Sequence, residues 1–197
     1  MKWIEHLWIV TCVYFALGLF NILFAWLGLI FFFAPLIIAV FWQSKAYCTI
    51  CDRGRLFNLL GHRFRLSRNR PMPAWLKSLP FRYGFLLFFW AVFIAILVKT
   101  VLVFASLKDP VSAVTLFWTW DVPWHWAVPE TDVPAWAVQF AFGFYSLMLT
   151  STLIGLICML LFKPRSWCVF CPMGSMTQLV CKWQARRAEG KEKRAFH

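Results

Sequence analysis

Apolar residues in this chain fall into three long blocks. Positions 7–42 contain no charged residue over 36 positions, 83–107 contain one, Lys99, and 136–162 contain none. A bilayer core is crossed by about 20 apolar residues in a helix. The second and third blocks therefore predict one helix each, over 82–107 and 136–162. The first block as one helix would run about 54 Å at 1.5 Å per residue, against a hydrocarbon core of about 30 Å. It predicts a tight helical hairpin that turns between Asn21 and Gly28, with a re-entrant segment as the alternative. The expected fold is an all-α integral membrane protein of four transmembrane helices arranged as two hairpins.

Composition agrees with that reading. The chain has 197 residues, is 61% hydrophobic and has a mean hydropathy of +0.67, where a soluble domain averages roughly 45–50% apolar residues. The N-terminal run is far longer than the roughly 7–15 residues of a signal core, so a cleaved signal is not expected.

Charge sets the orientation. Segment 43–81 carries eight cations against Asp52, and segment 163–197 carries eight against Glu189 and Glu192. Segment 108–135 carries Lys108 against Asp109, Asp121, Glu130 and Asp132. The positive-inside rule places the first two in the cytoplasm and the third outside. The net charge of +12 is thus assigned to topology and anionic lipid, not to nucleic acid. The expected location is a bacterial inner membrane.

Each half ends in the same short pattern. Cys48-Thr49-Ile50-Cys51-Asp52-Arg53-Gly54 and Cys168-Val169-Phe170-Cys171-Pro172-Met173-Gly174 both read C-x-x-C-x-x-G. Each then enters a short apolar stretch, 56–60 and 176–180. Hairpin, motif and apolar stretch recur in order, which reads as an internal repeat. A parallel repeat about the membrane normal would bring the motifs face to face.

A C-x-x-C pair offers two thiolates at the bite of one metal or one cluster corner. Two pairs complete a four-thiolate site from Cys48, Cys51, Cys168 and Cys171. A lasting disulfide is disfavoured in a reducing cytoplasm, and a thioredoxin-like dithiol lacks its surrounding fold. Zinc is the rival, although zinc ribbons space their pairs by roughly 15–20 residues and 116 intervene here. A 4Fe–4S cluster is favoured by Cys171-Pro172, which matches the Cys-Pro closing bacterial ferredoxin motifs. It is favoured also by Gly54 and Gly174, which allow close backbone approach. Arg53 and Arg55 are expected to raise the cluster potential by stabilising the reduced, more negative state.

Cys168, Cys171, Pro172 and Gly174, with Cys48, Cys51 and Gly54 more loosely, resemble the NapH/NosR group of membrane-bound iron–sulfur proteins. The resemblance implies a four-helix membrane domain with cytoplasmic cysteines, passing electrons from quinol or maintaining a partner reductase. Members often use C-x-x-x-C-P, and the chain has Asp52 where the second motif has proline. It lacks the eight-cysteine ferredoxin domain of that group. A ferredoxin-like partner, other subunits of a redox complex and quinone are the expected partners, and an electron-transfer subunit is expected over a stand-alone enzyme, with no catalytic residue. The competing reading is a zinc-pinned scaffold subunit.

Other residues carry weaker signals. Cys12 and Cys158 read as buried small hydrophobes, and Cys181, on a basic amphipathic stretch, as a residue without a site role, with a spare ligand or a lipidation site as alternatives. Lys99 reads as a cation snorkelling to the outer interface, or as a partner for quinone or a carboxylate. Trp118, Trp120, Trp124, Trp126 and Trp136 read as an interfacial belt or a docking surface. His6, His62, His125 and His197 do not pair within the spans, which disfavours bis-histidine haem. Ser151 and Gly155 form a small-x-x-x-small pair suited to helix packing. Segment 184–197 is expected to fray.

Overall fold

The structure is a computed structural model describing residues 6–41, 51–110, 113–128 and 133–195. Among the described residues it is mostly helical, with one small sheet. The first apolar block breaks at Asn21. Helix α1 (Trp8–Phe20) ends there, a 3₁₀ turn occupies Ile22–Trp26, and α2 spans Leu27–Phe41. Asn21 is extended, and its side chain accepts the Leu23 N–H at 3.0 Å. A short polar side chain that caps the next turn is the usual reason for such a break. The arms fold onto one another, with the Tyr14 and Phe31 rings 5.9 Å apart and the Tyr14 hydroxyl donating to the Ala25 carbonyl.

Helix α3 (Asp52–Asn58) follows, continued by a π turn at Leu59–Arg63. A short α4 (Ala74–Lys77) leads to α5 (Leu79–Phe104), capped by the Ser78 hydroxyl. Helix α6 (Ala135–Leu161) is the centre of the molecule; α5, the 3₁₀ turn, the sheet and α3 all pack on it. A 3₁₀ turn at Ser166–Val169 and helix α7 (Pro172–Ala195) complete the chain. Helices α5 and α6 are the two described helices long and apolar enough to cross a membrane.

Two expectations are corrected. Segment 184–197 does not fray at its start: α7 continues to Ala195. Its Ala, Arg, Lys and Glu residues are strong helix formers. The fold is also not purely helical. Strands β1 (Ala113–Leu116) and β2 (Trp120–Pro123) pair antiparallel, with Thr115 opposite Asp121. This hairpin does not sit above the bundle but runs along α6. The Thr115 N–H donates to Ser146 Oγ at 3.0 Å and the Phe117 N–H to Thr150 Oγ1 at 3.3 Å. Thr150 lies about 22 Å along α6 from its start, at 1.5 Å per residue. Phe117 and Trp118 take left-handed conformations at the tip (φ 49° and 60°), and Trp118 packs edge-on against Phe88 at 4.6 Å. Val114 is fully buried.

Candidate metal centre

Helices α3 and α7 start alike. Cys51 precedes Asp52, and Cys171 precedes Pro172, each as the residue before the first helical position. The Arg55 N–H donates to the Cys51 carbonyl at 3.1 Å, and the Ser175 N–H to the Cys171 carbonyl at 2.9 Å. Proline suits a first helical position because the missing N–H is unpaired there anyway. Aspartate suits it through the positive end of the helix dipole. The second cysteine of each motif thus stands at a helix N-terminus, where a thiolate is favoured.

The two motifs meet. A Cβ built on Gly54 would lie 3.8 Å from Cys51 Sγ and 3.8 Å from Cys168 Sγ. Residues 114 apart in sequence, the first-motif glycine and second-motif cysteine, therefore share one point in space. Both distances are ordinary van der Waals contacts, so packing among protein atoms does not require glycine there. What the missing Cβ leaves open is the space between thiols of different motifs.

That space belongs to a cavity of about 60 Å³ lined by Cys51, Gly54, Cys168, Cys171 and Gly174, with Arg53 and Asp52 on its wall. Phe31, Phe32, Phe89, Met148 and Trp167 supply apolar lining. Cys48, the fourth expected ligand, lies outside the described residues. None of the described cysteines is in a disulfide, and no three His, Cys, Asp or Glu side chains among the described residues close to the spacing of a single-ion site.

Burial pushes the Cys171 thiol up to about 11, and the neighbouring Cys51 thiol adds to the rise. The Gly174 and Met173 N–H groups and the Arg53 guanidinium act the other way. The donor set fits an iron–sulfur group: soft thiols from two chain segments, helix N-termini aimed at them, and a largely apolar wall that limits water.

The two arginines part company. Arg53 turns inward, donating from Nη1 to Ser151 Oγ at 3.0 Å and from Nη2 to Met148 Sδ at 2.8 Å. Arg55 instead lines a separate cleft with His6, Trp8, Cys12, His62 and Arg63. The expected electrostatic role therefore rests on Arg53. Ser151 and Gly155 allow close helix packing as expected, and the helix they seat is the short α3. They receive Arg53 and Phe57, four residues apart on α3, and a Cβ on Gly155 would lie 2.5 Å from Phe57 Cζ. Asp52 is held from the other side by the Thr11 hydroxyl, which donates to its Oδ2 at 2.8 Å. These supports, Thr11, Met148 and Ser151, were not singled out for the site in sequence. Their signal is the small and polar residues on otherwise apolar helices.

The remaining candidates lie elsewhere. Cys158 is buried in α6 as expected, whereas Cys12, expected to be buried, is exposed on α1; Cys181 is half-buried on α7. Lys99 lines a cleft of about 440 Å³ between α5, α6 and the hairpin, together with Asp109, Thr115, Trp118, Asp121 and Gln139. This cleft reaches inward to Val92 and Leu147. Phe89 and Met148, at the wall of the cysteine cavity, are respectively three residues and one residue away along the same helices.

A family described as 4Fe-4S binding domain matches residues 24–73 and 146–189, which contain all four motif cysteines. The match supports an iron–sulfur protein with a 4Fe–4S cluster as cofactor, and with it iron–sulfur electron transfer. No curated protein and no solved structure matches the chain.

Proposed function

We propose that this chain is an electron-transfer subunit of a membrane redox complex, of the NapH/NosR type, with the cluster held by Cys48, Cys51, Cys168 and Cys171. The observation that carries the reading is the approach of Cys51 and Cys168 to one point beside Gly54. It joins two motifs that the sequence separates by the whole α5–α6 pair. In the proposed arrangement α1, α2, α5 and α6 all cross a bacterial inner membrane, with the cysteines at the cytoplasmic side. Basic segments 43–81 and 163–197 support that orientation.

When bound, the cluster supplies one-electron chemistry. The residues of this chain do the rest. Gly54 and Gly174 keep backbone close to the thiols. Phe32, Phe89 and Trp167, all buried, exclude water from the cavity. Arg53, fixed by Ser151 and Met148, places a positive charge at its wall. The Lys99 cleft supports a link to quinone, because its inner end lies within a few residues of the cysteine cavity. A second redox protein, ferredoxin-like in the simplest case, completes the path.

Anaerobic purification, metal analysis and EPR of the dithionite-reduced protein test the reading. About four iron atoms per chain and a reduced-cluster signal are expected. Loss of most iron in Cys51→Ala and Cys168→Ala, with Cys12→Ala unchanged, assigns the ligands. One zinc per chain without iron would replace the proposal with a pinned scaffold.

A further inference from the structure

The cleft that takes Arg55 away from the cysteines has a character of its own. It lies between the start of α1 and the outer side of α3 and its π turn, with a volume of about 740 Å³. Four basic side chains line it: His6, Arg55, His62 and Arg63. Asp52, at the start of the same helix, is engaged by the Thr11 hydroxyl at 2.8 Å and does not line the cleft. Asn58 adds one polar side chain, and the rest of the wall is largely apolar, with Trp8, Leu59 and Phe64 prominent. It continues onto the exposed Ile9 and Val13 of α1.

The basic rim is also fixed in place. A π turn at Leu59–Arg63 replaces regular helix where His62 and Arg63 emerge, and such turns mark functional sites more often than chance. Beyond it the chain is tied to the end of α6. The Arg68 N–H donates to the Leu160 carbonyl at 3.1 Å, and the Ser67 hydroxyl donates to the Phe162 carbonyl. The arginines thus stand on an anchored element.

We infer that this cleft binds the phosphate headgroup of an anionic phospholipid, with one acyl chain lying along α1 past Trp8 and Cys12. Arginine forks match phosphate oxygens, and basic residues near an anionic leaflet are drawn to it. Trp8 fits the headgroup level, where indole is enriched. The apolar wall distinguishes a lipid from a soluble phosphate, which would leave Trp8, Leu59 and Phe64 facing water. The inference rests on the membrane placement proposed above, and it gives Arg55 a task separate from the cluster.

The full chain with its cluster is reconstituted in nanodiscs of phosphatidylcholine containing phosphatidylglycerol, and retained lipid is read by native mass spectrometry after gentle release. Retention of phosphatidylglycerol over phosphatidylcholine by tenfold or more is expected, falling at least fivefold in the Arg55→Gln/Arg63→Gln double variant. The Arg65→Gln/Arg70→Gln double variant removes equal charge outside the cleft and should keep the preference. Equal retention of both lipids, or an unchanged double variant, overturns the inference. So does inorganic phosphate that displaces the lipid at low millimolar concentration, since the chain would then add nothing. Iron content is measured on the same samples. Failure to enter the nanodisc removes the membrane placement itself, whereas entry without lipid preference removes this inference alone.

Discussion

Phe57 of α3 rests on Gly155 of α6, so closely that a Cβ on the glycine would lie 2.5 Å from the ring. One turn earlier on each helix, Arg53 meets Ser151. This paired contact docks the first cysteine motif against the central helix.

Gly155→Val should therefore dislodge Phe57 and lower iron content without touching a cysteine. Overpacking of this kind costs roughly 1–3 kcal/mol, applied here to α3. Gly84→Ala, where a Cβ meets nothing within 4 Å, should leave iron and melting temperature unchanged or slightly raised. Iron per chain in both variants is the measurement. Full iron in Gly155→Val would show that α3 docks by other means.

Arg53→Gln and Arg55→Gln should separate. Removing the inward charge disfavours the reduced cluster, so the midpoint potential should fall by about 40–90 mV, equivalent to about 1–2 kcal/mol at 59 mV per tenfold. Arg55→Gln should change it by much less. Potentiometric titration followed by EPR decides; equal shifts would contradict the geometry.

Assembly should depend on pH through Cys171. With the thiol pushed up to about 11, the cofactor-free site is protonated at neutral pH, and ligation must release that proton. Iron uptake should strengthen as pH rises from 7 toward 10. The sign for the cofactor-free fold is opposite. A raised thiol contributes stability that is full below its unfolded value and is lost as pH climbs through about 11. Melting of apo protein in detergent should decline there, and Cys171→Ala should flatten the decline.

Lys99→Met and Asp121→Asn test the link to quinone. Both residues line the cleft between α5, α6 and the hairpin, and neither borders the cysteines. Reduction of the cluster by quinol should slow several-fold while iron content and potential stay constant. Unchanged kinetics in both variants would remove the cleft from the electron path.

Much of this was legible in the residues. The block edges near 82–107 and 136–162 lie within a few positions of α5 and α6, because long uncharged runs leave helices few alternatives. The break after Asn21 was legible because the first block was too long for one crossing. The meeting of the two motifs was expected from the repeated order of hairpin and motif in each half. The hairpin was not legible: 113–116 and 120–123 are too short to signal strands, and their partners, Ser146 and Thr150, sit on a distant helix that gives no hint of what its hydroxyls accept. The divergence of Arg53 and Arg55 was hidden for a similar reason. Two residues apart on a helix, they look equivalent until the neighbour of each face is known.

The hairpin carries a consequence for the order in which the protein is built. It precedes α6 in the chain, yet the Thr115 and Phe117 N–H groups find their acceptors on α6. In hydrocarbon a backbone donor without an acceptor costs several kcal/mol. In the proposed membrane arrangement the hairpin therefore cannot take its seat before α6, a helix that follows it in the chain, is in place beside it.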